Sequence, residues 1–287
     1  MATKNISVSG FEVSVHADFP LFLKQAETFL LRNEAMNNLL WEVGRALDGT
    51  GSECAWFGTV ERAGKVNLAA VRGSTRYLIL ARGEENAVKA LAEFLGEKDV
   101  GLQGATGPAG EVDAFADTWE KAGGIPSGRG RSLKIFEFAL QNDSVTALEA
   151  PGRMRLAEET DRELVRDWAI SFAAESPSPM DPSTLVELAE AIRAKGNLFL
   201  WEDGEPVSMA GFGRSTPNGL VVNMVYTPGE QRRLGYAGAL MAGLMAEARQ
   251  RGAKLCCLFS EYGGERNLYE RIGFREGGVF REQAFSS

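Results

Sequence analysis

The alternation of apolar and polar residues divides this chain into short segments of mixed type. Runs rich in β-branched and aromatic residues, bounded by glycine or charge, predict strands, whereas apolar spacings of three and four predict helices. In the C-terminal part the predicted elements follow the order β-α-α-β-β-β-α-β-α-β, with strands at 198–201, 207–213 and 220–227. The helix that follows these strands has an apolar face made of Leu234, Ala237, Leu240, Met241, Leu244, Met245 and Ala248. This pattern predicts an α/β (α+β) fold with a mixed central sheet.

The N-terminal part predicts a smaller α/β half of its own. Asp18 stands before Phe19 and Pro20, which is typical of a capped helix start. Short apolar runs between residues 55 and 81 predict strands. Breakers at 123–130 and a linker-like stretch that ends at 152 then place a domain boundary near residue 150. We therefore expect two domains, 1–150 and 151–287.

A glycine-rich stretch, Gly101–Gly110, precedes a predicted helix in the N-terminal half. It echoes the strand, turn and helix predicted at 221–251, but it lacks the basic residues of that second segment. One interpretation is a second phosphate-binding loop. We prefer a connecting turn, or a degenerate copy of the same unit.

Composition excludes several classes of function. The formal net charge of −8 disfavours a sequence-independent grip on nucleic acid or on an anionic membrane. No apolar run reaches the roughly 18 residues that span a bilayer, and the N-terminus has no apolar stretch typical of a signal peptide. The three cysteines include the adjacent pair Cys256 and Cys257, which argues against a disulfide framework. These observations predict a protein of the reducing cytoplasm.

The chain has a single histidine, His16, in a run that alternates apolar and polar residues. The alternation predicts that His16 lies on the outer face of a strand, with a structural or surface role. A single histidine also argues against a histidine-rich metal site and against a Ser-His-Asp triad that would need a second histidine. We expect no metal centre.

The segment Val225–Gly238 carries the most chemical information. A β-branched and aromatic run stops at Pro228 and Gly229, and a basic loop with Gly235 then leads directly into a helix. A strand followed by a turn and a helix N-terminus makes an anion site, because unpaired N–H groups and the positive end of the helix dipole point to one place.

Two motifs resemble the GNAT N-acetyltransferase superfamily. Arg-x-x-Gly-x-Ala at 232–237 resembles the pyrophosphate-binding signature Gln/Arg-x-x-Gly-x-Gly/Ala, and Leu268–Phe274 resembles the ending Leu-Tyr-x-x-x-Gly-Phe. Together with the element order, the resemblance covers about residues 152–283. The N-terminal half resembles a diverged GNAT-like half found in two-part members. The resemblance implies a GNAT fold and a direct transfer of acetyl from acetyl-coenzyme A (acetyl-CoA) to a primary amine.

The resemblance also assigns roles to residues. It implies that Val225 and Thr227 offer strand N–H groups to the acetyl carbonyl and the pantetheine arm, and that Tyr269 is the general acid. Glu261, just past the strand at 254–259, is a candidate general base. The cofactor diphosphate would be held by the amides of Arg233, Leu234, Gly235, Tyr236, Ala237 and Gly238, with the side chains of Arg232 and Arg233 beside it.

Other functions remain open at this point. The chain is alternatively a non-catalytic, regulatory protein that binds acyl-coenzyme A, or an acyl or aminoacyl transferase that uses another carrier. A covalent route through Cys256 or Cys257 is disfavoured, because no histidine is available to activate a thiol. The acceptor is a small-molecule amine or a protein amine, and neither the acyl length nor the oligomeric state follows from the sequence.

Overall fold

The computed structural model describes residues 4–52, 55–98, 101–141, 145, 149–177, 180–261 and 267–286. The strands are β1 (Lys4–Val8), β2 (Phe11–His16), β3 (Trp56–Arg62), β4 (Lys65–Arg72), β5 (Tyr77–Leu80), β6 (Gly104–Pro108), β7 (Ser127–Ala139), β8 (Arg153–Leu156), β9 (Leu198–Asp203), β10 (Glu205–Ser215), β11 (Gly219–Tyr226), β12 (Leu255–Ser260) and β13 (Arg275–Phe285). The helices are α1 (Phe19–Leu30), α2 (Asn38–Leu47), α3 (Glu85–Gly96), α4 (Ala109–Lys121), α5 (Arg162–Glu175), α6 (Pro182–Ala194), α7 (Tyr236–Gln250) and α8 (Leu268–Ile272). None of these helices is long and apolar enough to cross a membrane.

The chain divides into two compact units. The first comprises Met1–Leu133 and Gly278–Ser287, and the second comprises Lys134–Gly277. The strands of the first unit pair in the order β1-β2-β3-β4-β5-β6-β13, and those of the second in the order β7-β12-β11-β10-β9-β8. In each unit all neighbours are antiparallel except one pair, β5 with β6 and β11 with β12.

The two units repeat one arrangement but exchange their last strands. From β2 to α4 and from β8 to α8 the order is β-α-α-β-β-β-α-β-α. The strand after α4 is β7, which pairs with β12 of the second unit, and the strand after α8 is β13, which pairs with β6 of the first. The predicted boundary near residue 150 therefore lies inside the second unit, because β7 takes its hydrogen bonds from β12.

Each sheet is covered by helices on both faces. In the first unit Leu78 packs with α3 and α4, whereas its neighbour Ile79 packs with α1 and α2. In the second unit Phe199 packs with α7, whereas Leu200 packs with α5 and α6. Adjacent residues of one strand point to opposite faces, so the four apolar clusters form two double-sided cores.

The prediction that His16 lies on an outer face is wrong. Its ring meets the edge of Phe22 of α1 at 5.9 Å, and its Nε2 lies 3.0 Å from the hydroxyl of Thr59. Burial lowers the pKa of His16. The alternation across β2 is real, but α1 covers the face that the pattern left to solvent.

The predicted glycine-rich turn at 101–110 is largely a strand. Residues 104–108 form β6, which is buried throughout and is paired parallel to β5 and antiparallel to β13. Only 101–103 precede it as coil, and α4 begins at Ala109. The segment has no apolar alternation, so its strand character comes from two flanking strands that supply its hydrogen bonds.

Candidate active site

Strand β11 contains a bulge at Met224. This residue has a φ of +56°, which is uncommon outside glycine. The pairing with β10 passes from Gly211 opposite Asn223 to Met209 opposite Tyr226, so β11 has one extra residue between these pairs. The bulge reverses the alternation of the strand. Side chains that pack on the α7 face are Val222 and Val225, and those that pack on the α5–α6 face are Met224 and Tyr226.

Beyond its first residues β11 separates from β12. The parallel pairing runs from Gly219 opposite Leu255 to Val221 opposite Cys257, and no later pair joins the described residues of the two strands. β12 continues to Ser260 alongside β7. Ligands of open α/β sheets bind outside the carboxyl ends of parallel strands. Val225 and Thr227, the predicted polarising positions, lie in this separated part.

The loop after β11 has a constrained backbone. A turn of 3₁₀ helix at Gly229–Gln231 leads to Arg232 in an extended conformation, and Arg233 has a φ of +66°. Gly235 has a φ of +90° and is the N-cap of α7. A Cβ atom at Gly235 would lie 3.1 Å from the carbonyl oxygen of Glu149. This position therefore favours glycine both by conformation and by space.

Consecutive backbone N–H groups at the start of α7 are left without partners. The N–H groups of residues 233–238 make no hydrogen bond within the part of the chain that the structure describes, and the N-cap Gly235 has no side chain that could cap them. The first helical hydrogen bond runs from the N–H of Ala239 to the carbonyl of Gly235, at 3.0 Å. These donors and the helix dipole make this loop a candidate anion site. The residues with these N–H groups are the ones that the sequence predicts to hold the diphosphate.

Two side chains of this loop differ in role. Tyr236 is buried, and its hydroxyl donates a 2.7 Å hydrogen bond to Asp203 at the end of β9, which raises the pKa of the phenol. Leu234 precedes the helix and is 53% exposed, so it does not belong to the apolar face on which the sequence placed it. Because residue 234 is outside the helix, helical spacing does not apply to it.

Arg232 is held by three neighbours from two elements. Its Nε donates to the carbonyl oxygen of Thr227 at 2.9 Å, and its guanidinium pairs with the carboxylate of Glu175 and lies 5.9 Å from the ring centre of Tyr226. The hydroxyl of Tyr226 donates to Glu175 at 2.8 Å. Arg232 lowers the pKa of Glu175, whereas burial raises the pKa of Tyr226. Sequence reasoning missed Glu175, the last residue of α5.

Tyr269 lies on the short helix α8. Its ring packs against Phe136 of β7 at 5.6 Å and against Phe274 at 6.1 Å. It borders the apolar cluster under α7 that Val225 also borders, so both residues lie on the same side of the sheet. Asn267 caps α8 by accepting from the N–H of Glu270 at 3.0 Å, and Gly273 ends it with a φ of +108°.

Two polar side chains lie near the separated strands. The Oδ1 of Asn223 is buried and has no hydrogen-bond partner in the described part of the chain. A Cβ atom at Gly213 of β10 would lie 2.5 Å from this oxygen, so the glycine provides its space. Glu261 directly follows β12, and its Oε1 is shielded from solvent.

The adjacent thiols have no nucleophilic character. Cys256 and Cys257 are both buried in β12. Burial raises the pKa of the Cys256 thiol far above its ordinary value, and Cys257 adds to the effect. A buried thiol with a raised pKa is poorly reactive. Cys54 lies outside the described residues.

In the first unit the corresponding connection, between β5 and α3, has its N–H groups at 82–84 occupied by hydrogen bonds within the chain. The N–H of Arg82 donates to Asn37 Oδ1 at 2.9 Å, that of Gly83 to Glu111 Oε1 at 3.1 Å, and that of Glu84 to the carbonyl of Asn67 at 3.0 Å. β5 keeps its regular register with β4 to Leu80. The open anion site thus belongs to the second unit.

Comparisons with known proteins relate this chain to acetyltransferases. The model of the acetyltransferase (GNAT) family matches residues 161–274. No curated protein sequence matches the chain. A GCN5-related N-acetyltransferase from Sphaerobacter thermophilus is similar in structure, with a TM-score of 0.58 and 15% identity over 96% of this chain and 95% of that one.

Two further structures are similar to the chain. A GNAT-family acetyltransferase from Colwellia psychrerythraea has a TM-score of 0.52 and 13% identity over 100% of both chains. A GCN5-related N-acetyltransferase from Kribbella flavida has a TM-score of 0.50 and 17% identity over 77% of this chain and 87% of that one. These identities establish the fold alone, and the family match lies on the unit that holds the anion site. The match therefore identifies residues 161–274 as an acetyltransferase domain of the GNAT type, and the solved structures agree with its fold.

Proposed function

We propose that this chain transfers the acetyl group of acetyl-CoA directly to a primary amine of a small molecule or of a protein. One observation carries the proposal: at the N-terminus of α7, consecutive N–H groups at 233–238 have no partner among the described residues, and they follow a bulged strand. Such a cradle suits the diphosphate of coenzyme A. Arg233, which is exposed beside these amides, adds positive charge.

The separated part of β11 suits the thioester. Past Val221 no pair joins the described residues of this strand to β12, which leaves the backbone N–H groups of Val225 and Thr227 as candidate donors to a ligand between the strands. Donors fixed where negative charge develops on the carbonyl oxygen lower the barrier to attack. In this proposal Val225 and Thr227 bind the acyl carbonyl and the pantetheine arm.

Proton transfers complete the reaction. The acceptor amine attacks as a free base, and the departing thiolate takes a proton from the hydroxyl of Tyr269. Glu261 is the candidate that removes a proton from the incoming ammonium, directly or through water. The buried Oδ1 of Asn223 is an acceptor for an N–H group of the substrate.

Calorimetric titration with acetyl-CoA tests the cofactor, with variants at Leu234. Because this side chain is 53% exposed and precedes the helix, Leu234→Glu places a negative charge beside the cradle without disturbing the core. Leu234→Gln has the same length and no charge, so it is the matched control. We expect micromolar binding by the wild type and by Leu234→Gln, and a loss of at least about tenfold in Leu234→Glu.

The outcomes separate the alternatives. Absence of binding by the folded wild type, or equal binding by the two variants, contradicts the assignment of the cradle. Binding without thiol release in the presence of any amine from a broad library would favour a regulatory protein that binds acyl-coenzyme A. Thiol release that depends on an amine supports the transferase and identifies the acceptor class.

A further inference from the structure

We propose that Glu175 is the positioning residue of the diphosphate loop: it holds Arg232 as a brace, so that Arg233 and the helix amides face the cofactor. This inference rests on the proposed use of acetyl-CoA. Glu175 is in the last turn of α5, far in sequence from the loop, and neither motif of the family contains it.

The contacts of Glu175 join three elements. Its two carboxylate oxygens accept from the hydroxyl of Tyr226, at the end of β11, and from the guanidinium of Arg232, in the loop. Arg232 in turn donates to the carbonyl of Thr227 at 2.9 Å, so its side chain closes a ring over residues 227–232. One carboxylate on α5 thereby fixes both the end of the strand and the loop that follows.

The other side of the same strand end is also fixed. The hydroxyl of Ser208, which is fully buried in β10, donates to the carbonyl of Tyr226 at 3.1 Å and lies 2.8 Å from the hydroxyl of Thr227. Glu175 and Ser208 thus hold the backbone at 226–227 from α5 and from β10. These bonds fix the backbone position from which the following loop, with its N–H groups, begins.

The position of Glu175 on its helix is unfavourable in itself. A carboxylate in the last turn of a helix opposes the helix dipole, and the last turn of α5 contains no basic residue. The pairing with Arg232 offsets this repulsion. A residue that breaks a local preference and gains a specific long-range contact is typical of a functional site.

The arrangement assigns different tasks to the two arginines. The guanidinium of Arg232 is already bound to a carboxylate, to a carbonyl and over a ring, so it shapes the loop. Arg233 is exposed and has a positive φ, which turns the following N–H groups in the direction of α7. Removal of Glu175 would free the guanidinium of Arg232, so that the loop at 227–232 and the N–H groups at 233–238 would be held less firmly.

The test measures binding of coenzyme A and of ADP, which shares the diphosphate but lacks the pantetheine arm. We expect Glu175→Gln to weaken both ligands about tenfold, since a charge-assisted hydrogen bond is lost. Glu163→Gln makes the same chemical change at the first turn of α5 and is expected to bind both ligands as the wild type does. In an Arg232→Gln background, Glu175→Gln is expected to have no further effect.

The results distinguish two roles for Arg232, support of the loop and direct binding of phosphate. If Arg232 were itself a phosphate ligand, its release by Glu175→Gln would leave binding unchanged or tighten it, and the inference would be overturned. Independent, multiplying losses in the double variant would overturn it too. If Glu175→Gln does not fold, Tyr226→Phe removes only the hydroxyl that holds Glu175, and it must weaken both ligands. Failure of the wild type to bind coenzyme A would instead reject the proposed function and this inference with it.

Discussion

The carboxylate of Glu111 accepts a 3.1 Å hydrogen bond from the backbone N–H of Gly83, at the point of the first unit that corresponds to the anion site of the second. The chain thus places its own negative group where the second unit leaves donors open. Glu84 and Glu85 at the start of α3 add charge that repels an anionic ligand. The first unit keeps the arrangement of strands and helices but closes the site.

If acetyl-CoA is the cofactor, as proposed, the closed first unit predicts one binding site per chain. We expect a calorimetric stoichiometry of about one acetyl-CoA per chain, and we expect Leu234→Glu to weaken all of this binding at least about tenfold, with no second site left at wild-type affinity. Glu111→Ala leaves the N–H of Gly83 without its partner and is expected to lower the free energy of unfolding by about 1–2 kcal/mol. A residual site of equal capacity in Leu234→Glu would contradict the closed state of the first unit.

Local chemistry made the loop predictable from sequence. The conformation of residues 232–237, and the end of α8 at Gly273, depend on residues that are neighbours in sequence. A short motif is therefore enough to predict them. The cap of α1 is a similar case, because the side chain of Asp18 accepts from the N–H of Leu21 at 2.8 Å, as the pattern predicted.

Long-range pairing was not predictable in the same way. The strand after α8 was expected, but its partner β6 lies in the other half of the sequence. The bulge at Met224 was hidden because β11 has apolar residues on both faces there, so the sequence shows no alternation for the bulge to disturb. Glu175 acts through contacts with residues 51 and 57 positions away, and no spacing rule links them.

Asn223 offers a prediction about the acceptor. Its Oδ1 is buried without a hydrogen-bond partner among the described residues, which is a cost to folding unless a ligand uses it. We therefore expect Asn223→Ala to lower kcat/KM for the amine about tenfold while the Kd for acetyl-CoA and the thermal stability stay unchanged or improve.

A second variant checks the cause of that loss. Gly213→Ala places a methyl group 2.5 Å from the Oδ1 position and must displace the amide, so it is expected to reproduce the loss in kcat/KM. If Asn223→Ala destabilises the protein and leaves the amine kinetics intact, the side chain is structural.

The pH dependence of stability has a clear candidate in Asp161. Its carboxylate accepts two hydrogen bonds from Arg155, at 2.7 and 2.9 Å, and one from the N–H of Glu158, at 2.8 Å, and the bonds from Arg155 hold its pKa below the ordinary value of 3.8. A depressed pKa in the folded state contributes stability above the unfolded pKa, and this contribution is lost as pH falls through the folded value.

Urea unfolding of an Asp161→Asn variant measures this contribution. We expect the variant to lose about 2 kcal/mol at pH 7 relative to the wild type, and the difference to shrink as pH falls below about 4, where the carboxyl of the unfolded chain takes up a proton before that of the folded protein does. Asp167→Asn, at an exposed carboxylate 3.9 Å from Arg166, serves as the control and is expected to change little. A constant difference from pH 7 to pH 3 would show that ionisation of Asp161 is not its source.

Tyr269 provides the most direct test of the chemistry. Its contacts with Phe136 and Phe274 are made by the ring, so Tyr269→Phe keeps the packing and removes only the hydroxyl. If that hydroxyl protonates the leaving thiolate, kcat is expected to fall by about 10²-fold, while the Kd for acetyl-CoA and the melting temperature stay unchanged. Tyr77→Phe removes a hydroxyl in the first unit and is the matched control. A Tyr269→Phe enzyme with wild-type kcat would mean that water, or another group, supplies the proton and that Tyr269 has a packing role.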